Sequence, residues 1–377
     1  MLGLAAACAA GGDTGVRPGQ LPDTDPDVVA RTQGGSEATL SPAAGLLFGL
    51  PIYRGDFADP YVLRVGDVLY AYATNTPEAN LPVIVVDGGS ATSLREAFPH
   101  LPSWTVPGFV WAPAVLGRGG HFVLYYSTRL AGTTTQCISR AVSDEPTGPF
   151  VDDSTGPMVC QRDLGGSIDP SLVTDLDGTD WLLYKSDGNC CGLPTALWSQ
   201  RLAEDGLSVV GTPTKLLTAD APWQAGLIEG PSMVIDGSHH LLFYSGNSWD
   251  SVDYGIGYAD CRSITGPCAD RSRGEPWMSS TPFAKGPGGQ EFFTALDRIW
   301  MVFHAWSRGE TGRAGAARHL YLDGVDFHDG VPQRIGSPSA ARLVAAALVG
   351  VAAVSSGVVW WVRLRRRRAV VRDAEGA

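Results

Sequence analysis

Five aromatic-rich apolar runs recur along the chain: VLYAYAT (68–74), FVLYYST (122–128), WLLYKS (181–186), HLLFYSG (240–246) and IWMVFHAW (299–306). Each follows a turn, and each turn follows a short opening that contains a proline. The openings are GDFADP (55–60), WAP (111–113), IDP (168–170), IEGP (228–231) and KGPGG (285–289). Their prolines, Pro60, Pro113, Pro170, Pro231 and Pro287, lie 53, 57, 61 and 56 residues apart. A recurrence of this kind marks an array of equivalent units. Further runs fill each unit, among them Gln136 to Ser143, Thr195 to Leu202, Tyr254 to Asp260 and Ala317 to Gly324. They alternate apolar and polar positions with a period of two, the pattern of half-buried strands. No amphipathic stretch of twelve residues or more reads as a helix between the repeats. Five units of about four strands predict an all-β chain: a five-bladed β-propeller over residues 46–336, each blade a twisted sheet around a central channel. A β-sandwich would also use many short strands, but it does not require one recurring opening per unit.

The ends of the chain differ from this region. Residues 1–45 begin with a short apolar run, Met1 to Ala10, that is too short to span a bilayer and has no basic segment before it. Its Leu4 to Cys8 resembles the end of a lipoprotein signal, which makes Cys8 a candidate for lipidation. Gly11 to Pro42 has the composition of a disordered linker. After a short tether at 337–342, Leu343 to Val362 is a run of twenty uncharged residues ending in Trp360 and Trp361. At 1.5 Å per residue it spans roughly 30 Å, enough for a transmembrane helix. Arg363 and Arg365 to Arg368 open a basic tail, 363–377, which the positive-inside tendency keeps in the cytoplasm. The propeller is then expected outside the cell, tethered to the membrane by this C-terminal helix.

Composition narrows the possible partners. The net charge is −11 even with the basic tail included, so the folded region lacks the basic surface that nucleic acid demands. A neutral glycan fits better. Of the seven cysteines, Cys261 and Cys268 share one turn-rich segment and are the favoured disulfide pair, with Cys137–Cys160 as a second. The adjacent Cys190 and Cys191 either bridge each other or stay reduced. Disulfides agree with an extracellular location.

The openings carry the candidate chemistry. In a propeller the inner strands begin near the axis, so Asp59, Asp169 and Glu229, at the openings of units one, three and four, converge on one pocket. The prolines are expected to hold Asp59 and Asp169, and Gly230 after Glu229, in extended conformations. Like charges brought together do not all ionise freely, so at least one pKa is expected to rise, as acid–base catalysis needs. A single acid before proline is usually just a turn residue; three in phase with the repeat are not.

With these motifs in place, ADP at 58–60, GGSIDPS at 165–171 and IEGPSMV at 228–234, the chain from Gly55 to Trp306 resembles glycoside hydrolase family 43, the arabinanases, α-L-arabinofuranosidases and β-xylosidases. The resemblance implies an inverting glycosidase acting on arabinose- or xylose-containing polysaccharides or oligosaccharides. It makes Asp59 the general base, Glu229 the general acid and Asp169 the residue that tunes and orients the acid. Inversion leaves room for a water, with base and acid roughly 6.5–9.5 Å apart, and Asp169 would raise the pKa of Glu229. Many family members hold a channel metal, such as calcium, with a His after the fifth-unit GPG. Gly289 stands there instead, so no cofactor is expected to be required, and His304 is the nearest replacement ligand. For sugar stacking Trp111 is the first candidate and Phe57 the next. Trp104, Trp223 and Trp249 are expected to be buried. Asn247 is a candidate hydrogen-bond donor to a hydroxyl. A non-catalytic carbohydrate-binding propeller is the alternative.

Overall fold

A computed structural model describes residues 50–87 and 90–335. Five antiparallel sheets follow one another in chain order. Blade 1 comprises Tyr61–Val65, Val68–Tyr72, Pro82–Asp87 and two short outer strands, Ser90–Ala91 and Arg95–Glu96. Blade 2 comprises Trp111–Arg118, His121–Arg129 and Gln136–Ser143. Blade 3 comprises Ser167–Thr174, Asp180–Ser186, Ala196–Leu202 and Val209–Thr218. Blade 4 comprises Ile228–Asp236, His239–Gly246, Gly255–Cys261 and Cys268–Asp270, and blade 5 comprises Lys285–Ala295, Arg298–Trp306, Arg318–His328 and Val331–Ile335. This is the expected five-bladed propeller. Blade 2 departs from the four-strand rule: its fourth position is filled only by isolated bridges, Val142 to Val151 and Ile138 to Val159. Among the described residues the helices are three short 3-10 turns, and none is long and apolar enough to cross a membrane. The expected membrane segment 343–362, its basic tail and Cys8 lie outside the described residues.

The second strand of each later blade is buried on both faces; Tyr125, Tyr126, Tyr184, Phe243 and Tyr244 have almost no exposed surface. That explains why these strands read as continuous apolar runs instead of alternating ones. Neighbouring blades pack face to face, and each junction is a separate core. Tyr72 and Val83 meet Leu124 and Tyr126 between blades 1 and 2. Tyr125 meets Leu182 and Tyr184 between blades 2 and 3, and Leu183 meets Leu242 and Tyr244 between blades 3 and 4. Phe243 meets Phe303 and Tyr321 between blades 4 and 5. The ring closes through the N-terminal segment: Leu320 of blade 5 donates to Tyr53, and Ile52 donates to Leu320. Phe57, Val62 and Ala71 then pack on Val302 and Leu320. Both expected disulfides, Cys137–Cys160 and Cys261–Cys268, are present.

The openings correct one expectation. The residue before each opening proline is left-handed, not extended: Asp59 (φ 49°), Ala112 (44°), Asp169 (55°), Gly230 (55°) and Gly286 (55°). The ladder registers of blades 2 to 5 also slip at these points. An extra residue there kinks the inner strand and re-aims its side chain. The proline still excludes the right-handed helical region; the bulge selects the left-handed one. Glycine takes this conformation freely, whereas at Asp59, Ala112 and Asp169 it is held against a local cost.

Candidate active site

Hydrogen bonds from one blade to the next hold these kinked openings. The Thr74 hydroxyl accepts from the Ala112 N–H (3.0 Å), Ser127 Oγ from the Asp169 N–H (3.0 Å) and Ser245 Oγ from the Gly289 N–H (2.9 Å). His304 Nδ1 accepts from the Asp59 N–H (3.0 Å) and closes the ring between blades 5 and 1. Ser127, Ser245 and His304 each directly follow the aromatic residue in their YS, YS and FH pairs. In blade 3 that slot is Lys185, whose ammonium reaches the Glu229 carboxylate instead, at 2.9 Å. The openings of all five blades therefore face one pocket of about 530 Å³, which contains Asp59, Asp169 and Glu229.

The three carboxylates sit in different surroundings. Burial alone would push the Asp59 pKa up. Arg318, with Nη1 3.6 Å from Oδ2, and the Thr74 hydroxyl donating to Oδ2 at 2.6 Å outweigh it, so the carboxyl lies below its ordinary value. His304 contributes no charge, because burial drives its pKa down to about 3; its contact with Asp59 is a hydrogen bond to a neutral ring. Asp169 is pushed up to about 7, first by burial and then by the charge of Glu229, against the pull of Lys185. Its Oδ2 accepts the Gly230 N–H at 3.0 Å. The expected rise of one pKa thus falls on Asp169. Glu229 accepts from Lys185 at Oε2 and from the Tyr254 hydroxyl at Oε1, the latter at 2.8 Å. Tyr254 stacks on His304, with ring centroids 6.0 Å apart, so a packed path runs from Glu229 to Asp59. Gln290 donates to the Gly230 carbonyl at 2.7 Å and holds the Gly230–Pro231 peptide that follows Glu229.

Lys185, Tyr254, Thr74, Arg318 and Glu291 escaped the sequence reading. Lys185 alone had a usable signal, as the one cation in the slot after the strand aromatic. Glu291 is buried in the pocket wall with both carboxyl oxygens 3.1 Å from Ser171 Oγ, and burial raises its pKa well above the ordinary value.

The binding candidates fare unevenly. Trp111 lines the pocket, with Phe109 tilted against it at 5.6 Å. Phe57 does not: it is 0% exposed, edge-on to Tyr53 in the core between blades 5 and 1, and offers no face to a sugar. Asn247 is also corrected. Its side-chain amide donates to the Trp223 carbonyl and its Oδ1 accepts from the Ser248 N–H, so both ends hold the turn after blade 4's second strand. Trp249, expected to be buried, is 45% exposed and lines the pocket, stacked on Trp306 with the Arg318 guanidinium 4.8 Å above its ring. Trp104 and Trp223 hold loops through their indole N–H groups.

Among the described residues no group of three or more His, Cys, Asp or Glu converges as a ligand set. His304 commits Nδ1 to the Asp59 N–H, and its Nε2 is buried without a protein partner. A side chain at position 289 would collide with it, since a Cβ there meets His304 Nδ1 at 2.6 Å and Asp59 Oδ1 at 2.8 Å.

A propeller that gathers three carboxyl groups in one pocket, with Asp59 held below its ordinary value and Asp169 raised beside Glu229, has the constellation of a glycoside hydrolase. The chain belongs to the glycosyl hydrolases family 43, whose pattern it matches over residues 48–332, and it is a glycoside hydrolase of that family. It is 28% identical over 275 residues to the extracellular endo-alpha-(1->5)-L-arabinanase 1 of Bacillus subtilis, covering 67% of this chain and 81% of that one. It is 26% identical over 286 residues to an extracellular exo-alpha-(1->5)-L-arabinofuranosidase of Cellvibrio japonicus, covering 68% and 80%. Among solved structures, a thermostable family-43 glycoside hydrolase superposes with a TM-score of 0.66 at 25% identity, covering 75% of this chain and 95% of that one.

Proposed function

We propose that the protein hydrolyses arabinose-containing glycans, α-1,5-linked arabinan first among them, with inversion at the anomeric carbon; xylose-containing glycans are the second substrate class. The observation that carries this reading is the contrast between Asp59 and the Asp169–Glu229 pair within one pocket. Asp59, kept ionised by Arg318 and Thr74, accepts a proton from the attacking water. Glu229 donates a proton to the leaving oxygen from the opposite side of the sugar ring. Asp169, raised to about 7 by burial and by the charge of Glu229, holds a proton near neutrality. As the glycosidic oxygen approaches, the proton held at Asp169 passes to Glu229, which delivers it to that oxygen. Asp59 and the ionised Asp169 left behind then face the positive charge that develops on the sugar. Trp111 and Trp249 supply flat apolar surfaces for the ring faces. The scheme needs no cofactor, because every proton has a side-chain carrier.

The relatives named extracellular, the two disulfides and the apolar run 343–362 support a catalytic domain outside the cell on a C-terminal membrane anchor. Glu229→Gln and Asp59→Asn test the roles. Each is expected to lower kcat on arabino-oligosaccharides by roughly 10²- to 10⁴-fold with the melting transition retained. Turnover near that of the wild type in either variant would contradict the assignment.

A further inference from the structure

The pocket contains a third cation that the scheme above does not use. Lys185 is balanced by Glu229 and by Asp187 at 3.6 Å, and Arg318 by Asp59. Arg129, at the end of blade 2's second strand, lines the same pocket, yet no carboxylate lies within ion-pair distance of it among the described residues. One face of its guanidinium lies 3.6 Å over the Phe109 ring, which in turn abuts Trp111. Its Nε is buried without an acceptor. Burial lowers its pKa, as it does for a charge not yet compensated.

Gln136 stands directly opposite Arg129 in the strand ladder, so the two side chains share one face. Gln136 is 3% exposed, and neither its Nε2 nor its Oε1 has a hydrogen-bond partner. From blade 1, Asn75 adds a buried Oδ1 in the same condition. Buried polar atoms are rarely left unpaired in a protein, so the Gln136 amide, Asn75 Oδ1 and Arg129 Nε offer hydrogen-bonding atoms to a ligand on this side of the pocket. A neutral hydroxyl would satisfy one donor and leave the charge uncompensated. A carboxylate would take two parallel hydrogen bonds from the guanidinium and cancel its charge.

We propose that Arg129, with Gln136 beside it, is a specificity subsite for a carboxylate on the glycan, a uronic acid unit close to the cleaved bond. Its place in the reaction rests on the glycosidase reading. Phe109 and Trp111 then have a joint role: Phe109 props the guanidinium, and Trp111, tilted against Phe109, offers its face to a sugar.

The test is an equilibrium titration of the full chain. Its ligands are glucuronate-bearing xylo- and arabino-oligosaccharides and the same oligosaccharides after reduction of the carboxyl to a hydroxymethyl group. The wild type is expected to bind the acidic form roughly 10- to 100-fold more tightly. Arg129→Met should erase that preference, and Arg129→Lys, which keeps the charge but loses the fork, should retain part of it. Raised salt should narrow the gap. Equal binding of the acidic and reduced forms by the wild type overturns the proposal, and so does an Arg129→Met variant that keeps the acidic preference. Binding is read without turnover, so the outcome stands apart from the glycosidase assignment: a chain that cleaves neutral arabinan and shows no acidic preference refutes this inference alone.

Discussion

Asp59 and Asp169 share a backbone conformation and a following proline, yet their carboxyls are set in opposite directions. The difference lies in the neighbours: Arg318 and Thr74 at one, Glu229 and burial at the other. The rise at Asp169 has consequences for stability as well as for catalysis. A carboxyl moved from 3.8 to about 7 keeps its proton in the folded state where the unfolded chain has lost it. Its contribution to stability therefore falls as pH rises from about 4 to about 7, and it stays low above that. Asp169→Asn removes the penalty. It is expected to raise stability by about 2–4 kcal/mol above pH 7 and by almost nothing near pH 4, while turnover drops because the proton held at Asp169 is gone. Thermal melts of the two proteins at both pH values check this, and an equal shift at both would contradict it. Asp59 and Glu229 were legible because an acid in phase with the repeat stands out. Arg318, Thr74 and Tyr254 were not, because an arginine, a threonine and a tyrosine in or beside strands look like thousands of others until the ring closes.

At the level of strands and turns, the apolar runs and their openings revealed the blades, and the second strands of blades 2 to 5 read as continuous runs because they are buried on both faces. The opening conformation was misread for a physical reason. Proline restricts its predecessor but does not choose between extended and left-handed backbone; the bulge makes that choice, and it depends on pairing with the neighbouring strand. Phe57 and Asn247 were misplaced for a related reason. Each is within a few residues of an opening or a strand end, but Phe57 turns into the core and the side chain of Asn247 is bonded into its own turn. Blade 2 is the least regular blade, and the Cys137–Cys160 disulfide ties its third strand to the segment that stands in for a fourth. Cys137 directly follows Gln136, so the same link steadies the Arg129 subsite. Replacing both cysteines by serine is expected to cost about 2–4 kcal/mol and to lower the melting temperature in calorimetry. A double variant as stable as the wild type would remove the disulfide from this account.

Across the whole molecule, the propeller brings together carboxylates that are 110 and 60 residues apart in the chain, Asp59 to Asp169 and Asp169 to Glu229. It does so on strands that the blade-to-blade hydrogen bonds hold rigid. Catalysis on rigid strand openings, with the electrostatic setting of each acid fixed before substrate arrives, is what preorganisation requires. The central claim is that Asp59 acts as base to water while Glu229 acts as acid across the sugar ring. The anomer that first appears during hydrolysis tests it most directly. Arabino-oligosaccharides mixed with the full chain and followed by proton NMR from the first minutes should release the inverted anomer, with the other appearing only by mutarotation. Prompt release of the retained anomer would mean that a carboxylate attacks the sugar itself, and the roles given to Asp59 and Glu229 would fall.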